Sequence, residues 1–139
     1  MTTRDVGGVR DGYHSVNAYL VVEGVERLVA FLEQVFDAKE RGNREIAADA
    51  TIAHAEVVIG DSVLMLSESS SKYPSRPSVL FAYVADVDRV FECAIDAGAS
   101  PILSPEDQTW GDRVAGFYDP HDNRWWIATQ KYGGVEPPG

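Results

Sequence analysis

Apolar side chains recur along this chain in two rhythms, and the order of the rhythms repeats. Val25, Leu28, Val29, Leu32, Val35 and Phe36 fall three or four residues apart and share one helical face. Val87, Val90, Phe91, Ala94 and Ile95 do the same, and Gly98 supplies a stop because glycine readily takes the left-handed turn that ends a helix. A strand-like run precedes each helix, over residues 16–22 and 79–84. Shorter β-like runs follow each helix, the most apolar being 63–66 and 125–128.

The two halves also match residue by residue. Val22-Glu23-Gly24-Val25-Glu26-Arg27 parallels Val84-Ala85-Asp86-Val87-Asp88-Arg89 at an offset of 62. Gly60-Asp61-Ser62 parallels His121-Asp122-Asn123 at an offset of 61, so one residue is lost near the second helix. The pattern predicts an α+β fold of two tandem β-α-β-β-β modules whose mixed sheets curve into half-barrels. The expected layout is a single domain over 1–139. Module one covers about 13–68, a serine-rich linker with Pro74 and Pro77 covers 69–78, module two covers 79–131, and a loose tail covers 132–139. A helix can cover only one face of each sheet, which leaves the other face free.

Charge narrows the functions that such a fold could serve. A net charge of −10 excludes nucleic acid as a natural partner, because phosphate contacts need clustered Lys and Arg. It equally disfavours an anionic membrane surface, and no apolar stretch approaches the roughly 20 residues that span a bilayer. Met1-Thr2-Thr3-Arg4-Asp5 lacks the apolar core of a signal peptide, and the single Cys93 cannot close an internal disulfide. The expectation is a cytoplasmic protein.

With these features in place, the sequence resembles the glyoxalase / bleomycin-resistance / vicinal-oxygen-chelate superfamily. The residues that carry the resemblance are the duplication, Asp119-Pro120-His121-Asp122-Asn123-Arg124 before the last strand, His54-Ala55-Glu56, Gly60-Asp61-Ser62-Val63-Leu64-Met65-Leu66, and Glu106-Asp107-Gln108-Thr109-Trp110-Gly111-Asp112-Arg113. The resemblance implies a small-molecule cavity and, in the metal-dependent members, His, Gln or Glu ligands on the first and last strands of each module. Those positions fall here on Asn17, Met65, Val79 and Trp126. Met65, Val79 and Trp126 cannot hold a hard or borderline divalent ion, and Asn17 alone is a weak oxygen ligand. The sequence therefore matches a subgroup that lacks the metal ligands, and neither metal nor cofactor is expected. The resemblance also implies a homodimer, since each half-barrel leaves sheet surface to cover.

Strand alternation sorts the side chains. With Asn17 facing a cavity, Tyr19 and Val21 follow; so do His54, Glu56, Val58, Val63 and Met65. In module two the expected lining is Val79, Phe81, Tyr83, Ala115, Phe117, Arg124 and Trp126. Trp110 is expected on a loop over the mouth, where stacking on a planar ligand is worth about 0.5–1.5 kcal/mol beyond burial. The candidate ligand-binding residues are thus Asn17, Tyr19, Met65, Phe81, Tyr83, Trp110, Phe117, Arg124 and Trp126, an aromatic wall with sparse polar anchors of the kind that binds small molecules. The alternative is that these rings pack on one another or on a partner subunit.

His54 and Glu56 lie two apart on one strand, so both point to one face and could share a proton. They are the candidate catalytic pair for a metal-independent isomerase or lyase; the plainer reading is a hydrogen-bonded pair that orients a strand. Asp112-Arg113 either anchors a ligand anion or fixes its own loop. Cys93 lies off the apolar helical face, and His14 and His121 are expected at the surface. Three functions stay open: a metal-free small-molecule-binding protein serving antibiotic or metabolite sequestration, a glyoxalase-like enzyme using His54 and Glu56, and a purely structural or regulatory partner protein.

Overall fold

The computed structural model describes residues 7–131; the tail expected over 132–139 lies outside the described residues. Its elements are β1 (Ala18–Val22), α1 (Val25–Phe36), β2 (Lys39–Ile46), β3 (Ile52–Ile59), β4 (Ser62–Glu68), β5 (Val79–Tyr83), α2 (Val87–Asp96), β6 (Ser100–Asp107), β7 (Asp112–Tyr118) and β8 (Arg124–Gln130). They form two four-stranded mixed sheets with orders β1-β4-β3-β2 and β5-β8-β7-β6. In each sheet the first and last strands of the module pair in parallel, and the other pairs are antiparallel. No helix is long and apolar enough to cross a membrane among the described residues.

The duplication holds at the level of register. Ala18 pairs with Leu64 in the first sheet and Leu80 with Trp125 in the second, the same offsets of 62 and 61 that the sequence shows. The lost residue is also accounted for. The second helix has 10 residues against 12, and its turn to the next strand regains one through Gly98, at φ +103°. Even the helix caps correspond. The Glu68 carboxylate accepts from the Gly24 and Val25 amides at the start of α1, where the dipole favours a negative charge. Its counterpart Thr129 accepts from the Val87 amide and donates to the Val84 carbonyl.

The helices and the inner sheet faces share one core. Leu20, Val57 and Leu66 are buried under α1, and Ala115, Phe117 and Ile127 are buried in module two. Helix α1 reaches across the duplication: its Phe31 and Phe36 rings lie 6.1 and 6.3 Å from Phe117, and Phe36 lies 4.7 Å from Trp125. The turn between β7 and β8 is fixed by Asp119, only 3% exposed. Its Oδ1 accepts from the His121 and Asn123 amides, and its Oδ2 accepts from Asn123 Nδ2 and Trp125 Nε1. Asn123 in turn accepts from the Ser78 amide at the end of the linker.

Two expectations need correction here. Phe117 and Ala115 do not face a cavity; both are fully buried on the helix side, and Val114, Gly116 and Tyr118 take the outer face. The reason is Gly116, which the outer face requires. A Cβ there would stand 2.5 Å from the Trp126 ring, so the indole occupies the space that a side chain at 116 would fill. His121 is not at the surface either. It is half-buried between the modules, with Nε2 3.1 Å from the Gly24 carbonyl oxygen.

Candidate functional site

Each sheet presents an outer face whose residues line up across the strands. In the first sheet one row runs Tyr19, Met65, Glu56, Arg41, and the next runs Val21, Ser67, His54, Glu45. The second sheet has rows Val79, Arg124, Tyr118, Ser100; Phe81, Trp126, Gly116, Leu103; and Tyr83, Ala128, Val114, Glu106. Tyr19, Phe81 and Tyr83 are 54%, 53% and 66% exposed, although rings of this size normally seek burial.

The first face is polar at its centre, and Glu56 is the hub. The Tyr13 hydroxyl donates to Oε1 of Glu56; His54 Nε2 stands 3.6 Å from Oε2, and Arg41 Nε stands 3.8 Å from Oε1. The Arg41 guanidinium lies 4.9 Å from the centre of the Tyr13 ring and also donates to the Asp11 carbonyl. Gly12 sits at φ +86°, a left-handed conformation that favours glycine, and a Cβ there would push the Arg41 guanidinium aside. The bond to the Glu56 carboxylate holds the Tyr13 phenol above its usual range, since it favours the protonated hydroxyl. Residues 8–17 thus form a strap over the first face, roofing a cavity of about 370 Å³ lined in part by Tyr13, Asn17, Glu56 and Met65. Strand alternation brings His54 and Glu56 together. It gives no sign of Tyr13, which lies outside any strand and arrives only through the return of the strap.

The second face is aromatic. Trp126 lies half-buried against Gly116, and the Phe81 and Tyr83 rings meet edge to face at 5.3 Å. The Tyr83 hydroxyl donates to Asp112 Oδ2 at 2.8 Å, and Trp110 Nε1 donates to the same oxygen at 3.2 Å. This bond likewise raises the Tyr83 pKa. The Arg124 guanidinium lies 5.7 Å from the Tyr118 ring centre. Arg113 points away, to Asp88 of α2 and Asp107 of β6, so it holds the loop and the helix together. Sequence reasoning joins Asp112 to Arg113, as a ligand anchor or a loop-fixing pair, whereas Asp112 faces the opposite side of β7 and has partners of its own. Because Gly116 makes room for Trp126, Gly116→Ala is expected to cost about 1–3 kcal/mol and to displace the indole. Denaturant unfolding, together with a shift in tryptophan emission, checks this.

The residues at the family's ligand positions do not fit a metal ion. The Asn17 side-chain amide accepts from the His14 amide at 2.9 Å and donates to the His14 carbonyl at 2.7 Å, and Met65, Val79 and Trp126 bring no suitable donor. No group of three His, Cys, Asp or Glu side chains capable of holding an ion gathers among the described residues. Nor do the predicted residues share one hollow within a chain. Asn17 and Met65 line the cavity under the strap. Asn17, Val79, Phe81 and Tyr83 line a cavity of about 480 Å³ at the seam between β1 and β5, and Trp110, Arg124 and Trp126 lie outside both.

Comparison with known proteins agrees with this architecture. The family model described as Glyoxalase/Bleomycin resistance protein/Dioxygenase superfamily matches residues 13–127. The uncharacterized protein Rv0887c of Mycobacterium tuberculosis is 31% identical over 122 residues, covering 80% of this chain and 71% of its own length. Among solved structures, TioX from Micromonospora sp. ML1 superposes with a TM-score of 0.70 at 23% identity, over 84% of this chain and 99% of that one. The fosfomycin resistance protein FosX from Mesorhizobium loti gives 0.61 at 21% identity, over 84% and 91%.

Proposed function

Since the chain belongs to the glyoxalase/bleomycin resistance protein/dioxygenase superfamily, we propose that it is a metal-free member that binds a small, partly planar molecule on its open sheet faces. The carrying observation is the exposure of Tyr19, Phe81 and Tyr83 on faces that the helices leave uncovered. Burying such rings against a ligand releases their hydration and adds stacking, so no bond need be made or broken. The engagement of Asn17 by its own backbone turn supports metal independence. A second copy completes the cavity in this reading, because one chain leaves the second face open and covers the first only in part, by the strap. Antibiotic or metabolite sequestration is the use we assign, in keeping with a structural neighbour named for fosfomycin resistance.

The convergence of Tyr13, His54 and Arg41 on Glu56 favours a second reading, in which Glu56 and His54 move a proton on a bound substrate. The two readings part on one variant. For a sequestering protein, His54→Ala leaves the affinity for a planar ligand found by thermal shift within a few-fold; for an enzyme it abolishes turnover. Metal analysis of protein purified without added metal or chelator is expected to show no stoichiometric ion. Zinc, nickel or iron held one to one by cavity residues would reject the metal-free assignment.

A further inference from the structure

On the second sheet face one carboxylate, that of Asp112, has no ionic partner within reach among the described residues. Asp112 is 6% exposed, and its carboxylate accepts from two neutral groups, the Tyr83 hydroxyl and the Trp110 indole N–H. No cationic side chain reaches it among the described residues: the adjacent guanidinium of Arg113 is committed to Asp88 and Asp107, and Arg124 lies over Tyr118. A buried carboxylate is costly unless paired or well hydrogen-bonded, and here pairing is absent.

Both of its donors belong to aromatic rings, Tyr83 exposed on this face and Trp110 half-buried in the turn between β6 and β7 beside it. A phenol or indole that donates to an anion gains electron density, because hydrogen-bonded groups polarise one another. The negative ring face that attracts a cation is therefore strengthened on Tyr83 and Trp110, with Phe81 standing edge-on beside Tyr83. Exposed aromatic ring faces hold alkylated or protonated amines, and a carboxylate behind them adds to the attraction.

We propose that Tyr83, Trp110 and Phe81, backed by Asp112, form a subsite for a cationic nitrogen of the ligand, so that the preferred class is planar organic cations. This rests on the binding function proposed above and names the charge of its ligand. Anions and neutral rings of the same shape bind more weakly, and Asp112 acts through the rings rather than by touching the ligand.

The test uses N-methylquinolinium and quinoline as a charged and an uncharged probe, titrated at pH 8 against the full chain with tryptophan fluorescence as the readout. The wild-type protein is expected to bind the cation about tenfold more tightly. Asp112→Asn keeps an acceptor for Tyr83 and Trp110 but removes the charge, and is expected to erase the preference while leaving quinoline affinity within about twofold. Tyr83→Phe, which keeps the carboxylate and cuts one ring from it, is expected to reduce the preference to about threefold, and it provides the test if the Asn variant does not fold. Glu92→Gln, an exposed acid on α2, controls for overall charge and should change nothing. Equal binding of the two probes by wild type, retention of the preference in Asp112→Asn, or its equal loss in Glu92→Gln overturns the cation subsite while leaving the binding function standing. Failure of both probes to bind rejects the binding function itself, and the subsite with it.

Discussion

Asp119→Ala is expected to lower the stability of the fold by about 3–5 kcal/mol, among the larger effects a single substitution in this chain can have. The carboxylate receives four N–H groups: the His121 and Asn123 amides, the Asn123 side chain and the Trp125 indole. Alanine leaves all four without an acceptor in a site that is nearly closed to water, with Asp119 at 3% and Asn123 at 0% exposure. Each stranded donor costs about 1–3 kcal/mol, less than additively because the turn relaxes. The damage spreads, since Asn123 also receives the Ser78 amide at the end of the linker and Trp125 packs on Phe36 of α1. Asp119→Asn keeps the shape but turns an amide N–H₂ toward other donors, and is expected to cost roughly half as much. Urea unfolding monitored by circular dichroism measures both; a loss below about 1 kcal/mol for the alanine variant contradicts this account of the turn.

That turn was legible in the sequence as a family signature but not as a structural one. Asp-Pro-His-Asp-Asn reads as a signature before the last strand, and only coordinates show that its first carboxylate faces inward to hold Trp125. The modules themselves were plain, because helical and strand periods differ and the offsets of 62 and 61 repeat faithfully. The register of β7 was not. Ala115, Gly116 and Phe117 offer no polar residue to mark the outer face, and a glycine there acquires meaning only once Trp126 is seen lying against it. By contrast, His54 and Glu56 mark β3 unambiguously, since either in the core would be an unpaired polar group. Tyr13 and Asp112 were beyond reach for a common reason. Each gains its role from a partner 43 or 29 residues away, and alternation along one strand carries no information at that distance.

The two faces that result are unlike in kind. One gathers a phenol, an imidazole and a guanidinium around a single carboxylate under a strap; the other is a slab of rings with one carboxylate behind it. Duplication preserved the scaffold and its caps, whereas the outward positions, freed from packing, diverged. A ligand held between the polar face of one module and the aromatic face of another would meet anchoring groups on one side and stacking surface on the other. That is the division expected of a site that must both orient and bury its ligand.

Phe117→Ala separates packing from binding most sharply, because the ring sits among the aromatics yet belongs to the core. It is fully buried and lies 6.1 Å from Phe31 and 6.3 Å from Phe36, the residues through which α1 grips the second sheet. Removing a buried phenylalanine costs about 3–5 kcal/mol, the lost transfer energy plus the cavity left behind. Here the cavity opens between the modules, so the loss should also loosen the packing of α1 on module two. Phe81→Ala, on the outer face and 53% exposed, is expected to cost under about 1 kcal/mol and to weaken binding of a planar ligand instead. Thermal unfolding and ligand titration on the two variants give opposite patterns if the register described is right. A stable Phe117→Ala protein that has lost its ligand would return Phe117 to the cavity side and displace every outward assignment on β7.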